Sequence, residues 1–126
     1  MDLEETEARI VEQLERILDA EDRLREIRWY ISNVEREIPD TRGYYRLARA
    51  VAIMLEFRIV ERELAWVKQH EYHVENEIND ATNRIRELIP DEIRNMDIGF
   101  DVRNQRFHVE LTYDNSVRIK HRRIAI

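Results

Sequence analysis

A ladder of aliphatic residues at seven-residue intervals runs through the first third of the chain. Its members, each Leu or Ile, are Leu3, Ile10, Ile17, Leu24, Ile31 and Ile38. An apolar repeat of about 3.5 residues keeps one seam of a helix facing a partner helix over many turns. The ladder therefore predicts a long helix over residues 2–38. Pro39 should end it, because the residue before a proline disfavours helical backbone.

A second and longer apolar seam follows within residues 44–89, which we predict to be another helix. The seam positions repeat at alternating spacings of four and three, and all but Glu71 are apolar: Ile53, Phe57, Val60, Leu64, Val67, Glu71, Val74, Ile78, Ala81, Ile85 and Leu88. A short connection between two long helices predicts an antiparallel helical hairpin. Counting outward from a tip near residue 41 places Glu71 near Arg9 and Gln13. It also predicts that the second helix extends beyond the start of the first.

The apolar period changes to two in residues 97–126, after a short helical turn predicted for residues 90–95. Three runs of alternating apolar and polar residues predict an antiparallel β-meander with one apolar face. The expected fold class is therefore α+β. It consists of a long, coiled-coil-like antiparallel α-helical hairpin followed by a small three-stranded antiparallel β-meander, within a single domain of residues 1–126.

Turn residues suggest how the three strands pair. We place a two-residue turn at Asn104-Gln105, which pairs Val102 with Phe107 and Phe100 with Val109. A three-residue loop at residues 114–116 pairs Tyr113 with Val117 and Leu111 with Ile119, and it sets Glu110 opposite Lys120. Both registers keep the apolar side chains on one face of the sheet.

The composition limits the kind of protein this chain can form. Charged residues make up 38%, and the chain has two Gly, two Pro and no Cys. The missing Cys excludes disulfides and cysteine-ligated zinc, while the high charge is compatible with heat adaptation. The N-terminal residues do not resemble a secretory signal, and the longest uncharged run is far shorter than the ~20 residues of a membrane span. We expect a cytoplasmic protein without membrane contact, of a type common among small intracellular and viral accessory proteins.

Apolar residues outside the two seams form the first candidate functional surface. They are Trp29 in the first helix and Val51, Met54, Leu55 and Ile59 in the second. A two-helix hairpin cannot bury both of its faces by itself. These residues therefore predict self-association into a homodimer or a higher oligomer. The alternative is that the sheet folds back over them.

Basic residues concentrate in the C-terminal segment and form the second candidate surface. Residues 97–126 carry a net charge of +2, whereas residues 1–96 carry −8. Arg-rich strands can bind phosphate backbones, so an alternative function is that of a nucleic-acid-binding accessory protein. Its contacts would be Arg103, Arg106, Arg118, Lys120, Arg122 and Arg123. The other interpretation is that these charges protect an edge strand from aggregation.

A third, weaker candidate is a metal site formed by His70, His73 and Glu77, which share one helical face. Their spacing matches neither a zinc-protease helix nor a di-iron helix bundle. The chain also lacks a nucleophile motif and a phosphate-binding glycine loop. We therefore expect no cofactor and no enzymatic activity. The sequence favours a structural protein that self-associates through its hairpin and presents the sheet, with metal binding as a second alternative.

Overall fold

A computed structural model describes residues 2–124 and shows two long helices packed against each other, followed by a small sheet. The elements are α1 (Leu3–Arg36), α2 (Leu47–Leu88), a short 3₁₀ helix (Asp91–Ile93), β1 (Ile98–Val102), β2 (Gln105–Leu111) and β3 (Val117–Arg123). The sheet is antiparallel with strand order β1-β2-β3. The predicted fold class, a helical hairpin followed by a three-stranded meander, is confirmed.

The connection between the helices is longer than the sequence predicted. Residues 37–46 lie outside both helices, and Gly43 adopts a φ of 110° that favours glycine. The carboxylate of Asp40 accepts a hydrogen bond of 2.9 Å from the backbone N–H of Arg42. The hydroxyl of Tyr45 donates to the carbonyl oxygens of Asp40 and Arg42 at 2.9 and 2.8 Å. These bonds stabilise an irregular loop in place of further helical turns.

Contacts within the chain divide it into two compact units. The terminal unit combines Met1–Glu21 with Asn76–Ile126, and the central unit is Asp22–Glu75. Each of the long helices contributes one segment to each unit.

The core of the terminal unit lies between its helix segments and the apolar face of the sheet. Phe107, Val109 and Leu111 alternate along β2 and are at most 1% exposed. Leu14 of α1 and Ile85 of α2 are fully buried in the same cluster. The sheet is therefore apolar on one side, where the helices cover it, and polar on the other.

The register between β1 and β2 differs from the prediction by two residues. Phe100 pairs with Phe107 and Val102 with Gln105, so the predicted Val102–Phe107 pair is wrong. The turn is Arg103-Asn104, with φ values of 48° and 62°. Two consecutive positive φ angles are typical of a type I′ hairpin, which suits the twist of the strands.

The loop between β2 and β3 is also one position earlier than predicted. The backbone N–H of Thr112 donates to the carbonyl of Ser116 at 2.7 Å, which leaves residues 113–115 as the loop. Asn115 takes the left-handed conformation there, with a φ of 67°. The side chain of Thr112 donates to the carboxylate of Asp114 inside this loop.

This loop shifts the pairing of β3 by two residues. Leu111 pairs with Val117, and Glu110 lies opposite Arg118 instead of Lys120. Tyr113, which was predicted to face Val117, is 86% exposed in the loop. The apolar face is unchanged, because a shift of two residues preserves the side of the sheet on which each side chain lies.

In the central unit the predicted seams of α1 and α2 face each other, as expected. The residues of the two helices that lie level with each other differ from those predicted. Leu24 and Ile31 of α1 and Val67 and Val74 of α2 are buried, and all eleven seam positions of α2 are buried or partly buried. The two ends of the ladder are exposed. Leu3 is the first residue of α1, and Ile38 lies beyond its last.

The polar seam residue Glu71 pairs with Arg28, so the prediction that it lies near Arg9 and Gln13 is wrong. Arg28 Nε lies 3.6 Å from Glu71 Oε2, and Arg28 Nη2 lies 3.0 Å from Glu75 Oε1. The prediction counted residues outward from residue 41 along both helices, and so assumed that the two helices meet there. Residues 37–46 are not helical, and Glu35 at the end of α1 lies 3.6 Å from Lys68, well inside α2. The first turns of α2 therefore extend beyond the end of α1.

The predicted overhang of α2 past the start of α1 is wrong for the same reason. Within the terminal unit, Leu3 and Thr6 line a recess together with Pro90 and Ile93, which follow the end of α2. The beginning of α1 therefore lies beside the 3₁₀ helix and not level with residue 79 of α2, as the count had placed it.

Candidate functional site

Large apolar side chains are exposed mainly in the central unit. Fourteen such side chains are exposed among the described residues, and all except Leu3, Met96 and Tyr113 belong to Asp22–Glu75. The eleven in the central unit are Trp29, Tyr30, Ile38, Tyr44, Leu47, Val51, Met54, Leu55, Ile59, Trp66 and Tyr72. They include all five residues that the sequence predicted as an association surface.

Four of these residues lie along one side of α2, and we call them the α2 stripe: Val51, Leu55, Ile59 and Trp66. Steps of four, four and seven residues return to the same side of an α-helix. All four side chains are more than half exposed. The solvent face of a helix is normally polar. A second apolar line opposite the buried seam is therefore the exceptional feature of α2.

The α2 stripe continues onto α1 through an aromatic recess. Tyr30 and Trp66 line this recess together with Ile27 and Val67, and His70 closes one side of it. The rings of Trp66 and His70 are stacked, with centroids 6.1 Å apart and planes 7° apart.

Trp29 lies in an adjoining recess, which it shares with Tyr30. The hydroxyl of Tyr30 donates to the carboxylate of Glu63, and this hydrogen bond raises the pKa of the Tyr30 phenol. Trp29, Tyr30 and Trp66 thus form one aromatic surface across both helices. Tyr30 and Trp66 were not predicted from the sequence, although the position of Trp66 seven residues after Ile59 was a usable signal.

The opposite flank of the same helix pair is polar. Arg28 of α1 pairs there with Glu71 and Glu75 of α2, and Glu35 lies 3.6 Å from the Lys68 ammonium. Helical periodicity places Arg28, Lys68 and Glu75 on the other side of the seam from Tyr30 and Trp66, with Glu71 in the seam between them. The central unit therefore has one flank with ion pairs and one flank with exposed aromatic rings.

Acidic residues neutralise two of the six basic residues predicted to contact nucleic acid. Arg103 pairs with Asp19 and lies 3.7 Å from Glu15. Arg106 donates two hydrogen bonds to Asp101 at 2.9 and 3.3 Å. This pair lowers the pKa of Asp101 and raises the pKa of Arg106. Both cations therefore already have partners within the terminal unit.

The four remaining basic residues belong to β3 and lie on two different faces of the sheet. Arg118, Lys120 and Arg122 alternate along β3 and so lie on the open face of the sheet. Arg123 alternates to the other face, where it is paired in register with Gln105. Within residues 2–124, the side chains of Arg118, Lys120 and Arg122 make no hydrogen bond or ion pair. We call these three residues the β3 cation row.

The same strand is held to α1 by a histidine that was not among the predicted site residues. His121 Nε2 lies 2.9 Å from Glu21 Oε2, and His121 Nδ1 lies 3.1 Å from Gln105 Oε1. The imidazole also packs on Phe107, with ring centroids 4.7 Å apart. These contacts fix β3 and thereby the orientation of the cation row. No sequence signal marked His121, because a polar residue in an edge strand is ordinarily exposed.

The weak metal candidates are not assembled into a site. His70 stacks on Trp66, and the ring of His73 lies 6.2 Å from that of Tyr72. Over residues 2–124, no group of three or more His, Asp or Glu side chains is arranged to hold a metal ion. No helix in the same range has the length and apolar character needed to cross a membrane.

Comparisons with models of protein families, with curated proteins and with solved structures find no match to this chain.

Proposed function

We propose that this chain is a cytoplasmic, non-enzymatic assembly protein that self-associates through its central unit and presents the β-sheet of its terminal unit. One observation carries the proposal: eleven large apolar side chains of the central unit are exposed. Isolated exposed apolar residues are ordinary, but contiguous ones mark interaction surfaces.

The aromatic residues supply much of the area that a stable dimer needs. A standard interface buries about 800 Å² on each partner. A whole aromatic side chain can bury about 150–250 Å². Because Trp29, Tyr30 and Trp66 are 70%, 39% and 70% exposed, together they provide about 270–450 Å². The aliphatic members of the α2 stripe can supply the remainder. Trp and Tyr are also the residues that most often dominate binding energy in interfaces.

The charges around this surface suit pairing with a second copy of the chain. Arg25 and Glu26 line the recess at Trp29, Glu63 lines the recess at Trp66, and Arg58 lines a recess with Val51 and Met54. A two-fold symmetric interface brings one surface against itself. A rim that carries both signs can then form pairs of opposite charge without a different partner.

The test is the molar mass in solution of two matched variants, measured by light scattering after size exclusion. Leu55→Glu places a charge in the α2 stripe, and Met96→Glu places one at a side chain of similar exposure in the terminal unit, 54% against 56%. We expect the wild type and Met96→Glu to be oligomeric and Leu55→Glu to be monomeric. Circular dichroism should show the same helix content in all three proteins.

Two results would overturn the proposal. One is a wild-type protein that remains monomeric at its highest soluble concentration. The other is an oligomer that Leu55→Glu and a second stripe variant, Ile59→Glu, both leave intact while Met96→Glu dissociates it. The second result would place the interface in the terminal unit.

A further inference from the structure

We propose that the β3 cation row, Arg118, Lys120 and Arg122, binds the phosphate backbone of a single-stranded nucleic acid. This inference concerns the terminal unit and is independent of self-association through the central unit. Its basis is that these three cations lie in line on an exposed edge strand and have no acidic partner among the described residues.

Three other basic residues of the terminal unit contrast with the row. Arg94 pairs with Asp91, Arg103 with Asp19 and Arg106 with Asp101. A phosphate that approached one of those three guanidinium groups would have to displace a carboxylate. A phosphate at the cation row would displace only water and counterions, and the release of counterions favours binding.

The spacing of the row suits an extended strand of phosphates. Alternate residues of a β-strand lie about 6.6–6.8 Å apart, comparable to the distance between successive phosphates of an extended nucleic-acid strand. Arg118 and Arg122 can each bind a phosphate through two parallel hydrogen bonds. Lys120, between them, provides a compact positive charge.

The acidic residues on the same face restrict the ligand to one strand. Glu110 lies opposite Arg118, Asp97 lies 3.1 Å from the imidazole of His108, and Asp101 neutralises Arg106, the β2 residue opposite Arg122. The described cations of this face that have no acidic partner are therefore confined to one β-strand. A duplex would bring its second row of phosphates towards these carboxylates, whereas a single strand can follow the edge alone.

An exposed aromatic ring lies at one end of the row. Tyr113 is 86% exposed in the loop of residues 113–115, which leads into β3 just before Arg118. Single-strand binding proteins combine a basic track with aromatic rings on which bases stack. Tyr113 is therefore assigned as the stacking residue of the proposed site.

The experiment measures binding of fluorescently labelled single-stranded DNA and RNA to the full-length protein by anisotropy. The test variant replaces Arg118, Lys120 and Arg122 with Gln. The matched control replaces three exposed cations of the central unit, Arg46, Arg49 and Arg62, with Gln. Both triple variants lose the same net charge, so a difference between them reports position and not overall electrostatics.

Salt dependence provides a quantitative expectation. Each phosphate neutralised on a single strand contributes a slope of about −0.7 to log K against log salt. For three phosphates, binding should weaken about 20-fold between 50 and 200 mM salt. The control variant should keep this slope and the test variant should lose it. Tyr113→Ala should weaken binding about fivefold or more without changing the slope.

Several results would overturn the proposal. They are no binding by the wild type at 50 mM salt, equal loss of binding in both triple variants, or tighter binding of duplex than of single strands. Displacement of the oligonucleotide by polyglutamate at equal charge concentration would also overturn it and would identify an acidic polypeptide as the ligand. Light scattering on the same samples should show an unchanged oligomeric state, so that failure here is distinguishable from failure of the assembly proposal.

Discussion

The two units of this chain bury their apolar side chains to very different extents. In the terminal unit, two helix segments and a sheet enclose Phe107, Leu14, Ile85, Val109 and Leu111, each at most 1% exposed. The central unit consists of helix segments and their connection, and it leaves eleven large apolar side chains exposed. Both units contain the buried apolar seams of α1 and α2. The difference in burial therefore comes from the sheet, which only the terminal unit contains.

This contrast suggests that one unit chiefly stabilises the folded monomer and the other chiefly mediates association. A helix pair buries one stripe of each helix, and a further apolar stripe needs a third layer. The sheet provides that layer in the terminal unit. In the central unit, a second copy of the chain is the proposed third layer. The terminal unit should therefore dominate the stability of the monomer, whereas substitutions on the exposed face of the central unit should change association.

The largest expected effect is in the core of the terminal unit. Phe107→Ala should reduce the free energy of unfolding by about 3–5 kcal/mol, because it removes a fully buried ring and leaves a cavity. Urea denaturation followed by circular dichroism measures this loss. Tyr113→Ala is the control, since its ring is exposed, and it should change stability by less than about 0.5 kcal/mol. Similar losses in both variants would contradict the contrast between buried and exposed rings.

The second prediction concerns an aromatic residue of the central unit. Trp66→Ala should weaken self-association by about 2 kcal/mol or more, as is typical of a central interface Trp. At low protein concentration, where the monomer predominates, its unfolding should change far less than that of Phe107→Ala. Sedimentation equilibrium gives the dissociation constant. An unchanged dissociation constant, together with a large loss of monomer stability, would show that Trp66 serves folding.

Sequence periodicity could predict the helices and the apolar faces because both follow from regular repeats. All eleven α2 seam positions, including Glu71, lie at least partly buried. Periodicity could not predict which residues of α1 lie beside which residues of α2. The partner of Glu71 depends on residues 37–46, whose loop is set by Asp40, Gly43 and Tyr45 and not by any repeat.

The strand register was predicted incorrectly for a related reason. Shifting a strand by two residues leaves every side chain on the same face, so the apolar pattern is equally compatible with both registers. The residues that accept a positive φ, Asn104 and Asn115, determine the observed turns. For the candidate surfaces, the sequence identified exposed apolar and basic residues. It could not show which cations already had partners, because Asp19 and Arg103 are distant in sequence.

A smaller effect should follow from changing the turn that sets this register. Asn104→Val should destabilise the protein by about 1–2 kcal/mol, because a β-branched residue is strained at a φ of 62°. Asn104→Gly is the control and should be neutral or slightly stabilising, since glycine adopts positive φ freely. Equal stabilities of the two variants in urea denaturation would show that the Arg103-Asn104 turn does not determine the register.

The smallest expected effect is a loss of stability in acid that originates in the two hairpins of the terminal unit. Hydrogen bonds from Arg106 lower the pKa of Asp101 below its ordinary value of 3.8, and hydrogen bonds from Thr112 and Ser116 do the same for Asp114. A carboxyl group with a lowered folded-state pKa stabilises the fold above its unfolded-state pKa, and this stabilisation is lost as the pH falls through the folded-state value. Acid titration of the wild type should therefore show an added loss of stability below pH 3.8, and the double variant Asp101→Asn/Asp114→Asn should show less of it. Both groups are exposed, so the difference should be small.

The corresponding pair of substitutions in the central unit, Glu71→Gln/Glu75→Gln, should leave the acid response of the hairpins unchanged. If those substitutions removed the acid effect instead, the Arg28 pairs of the central unit, and not the hairpins of the sheet, would be its source.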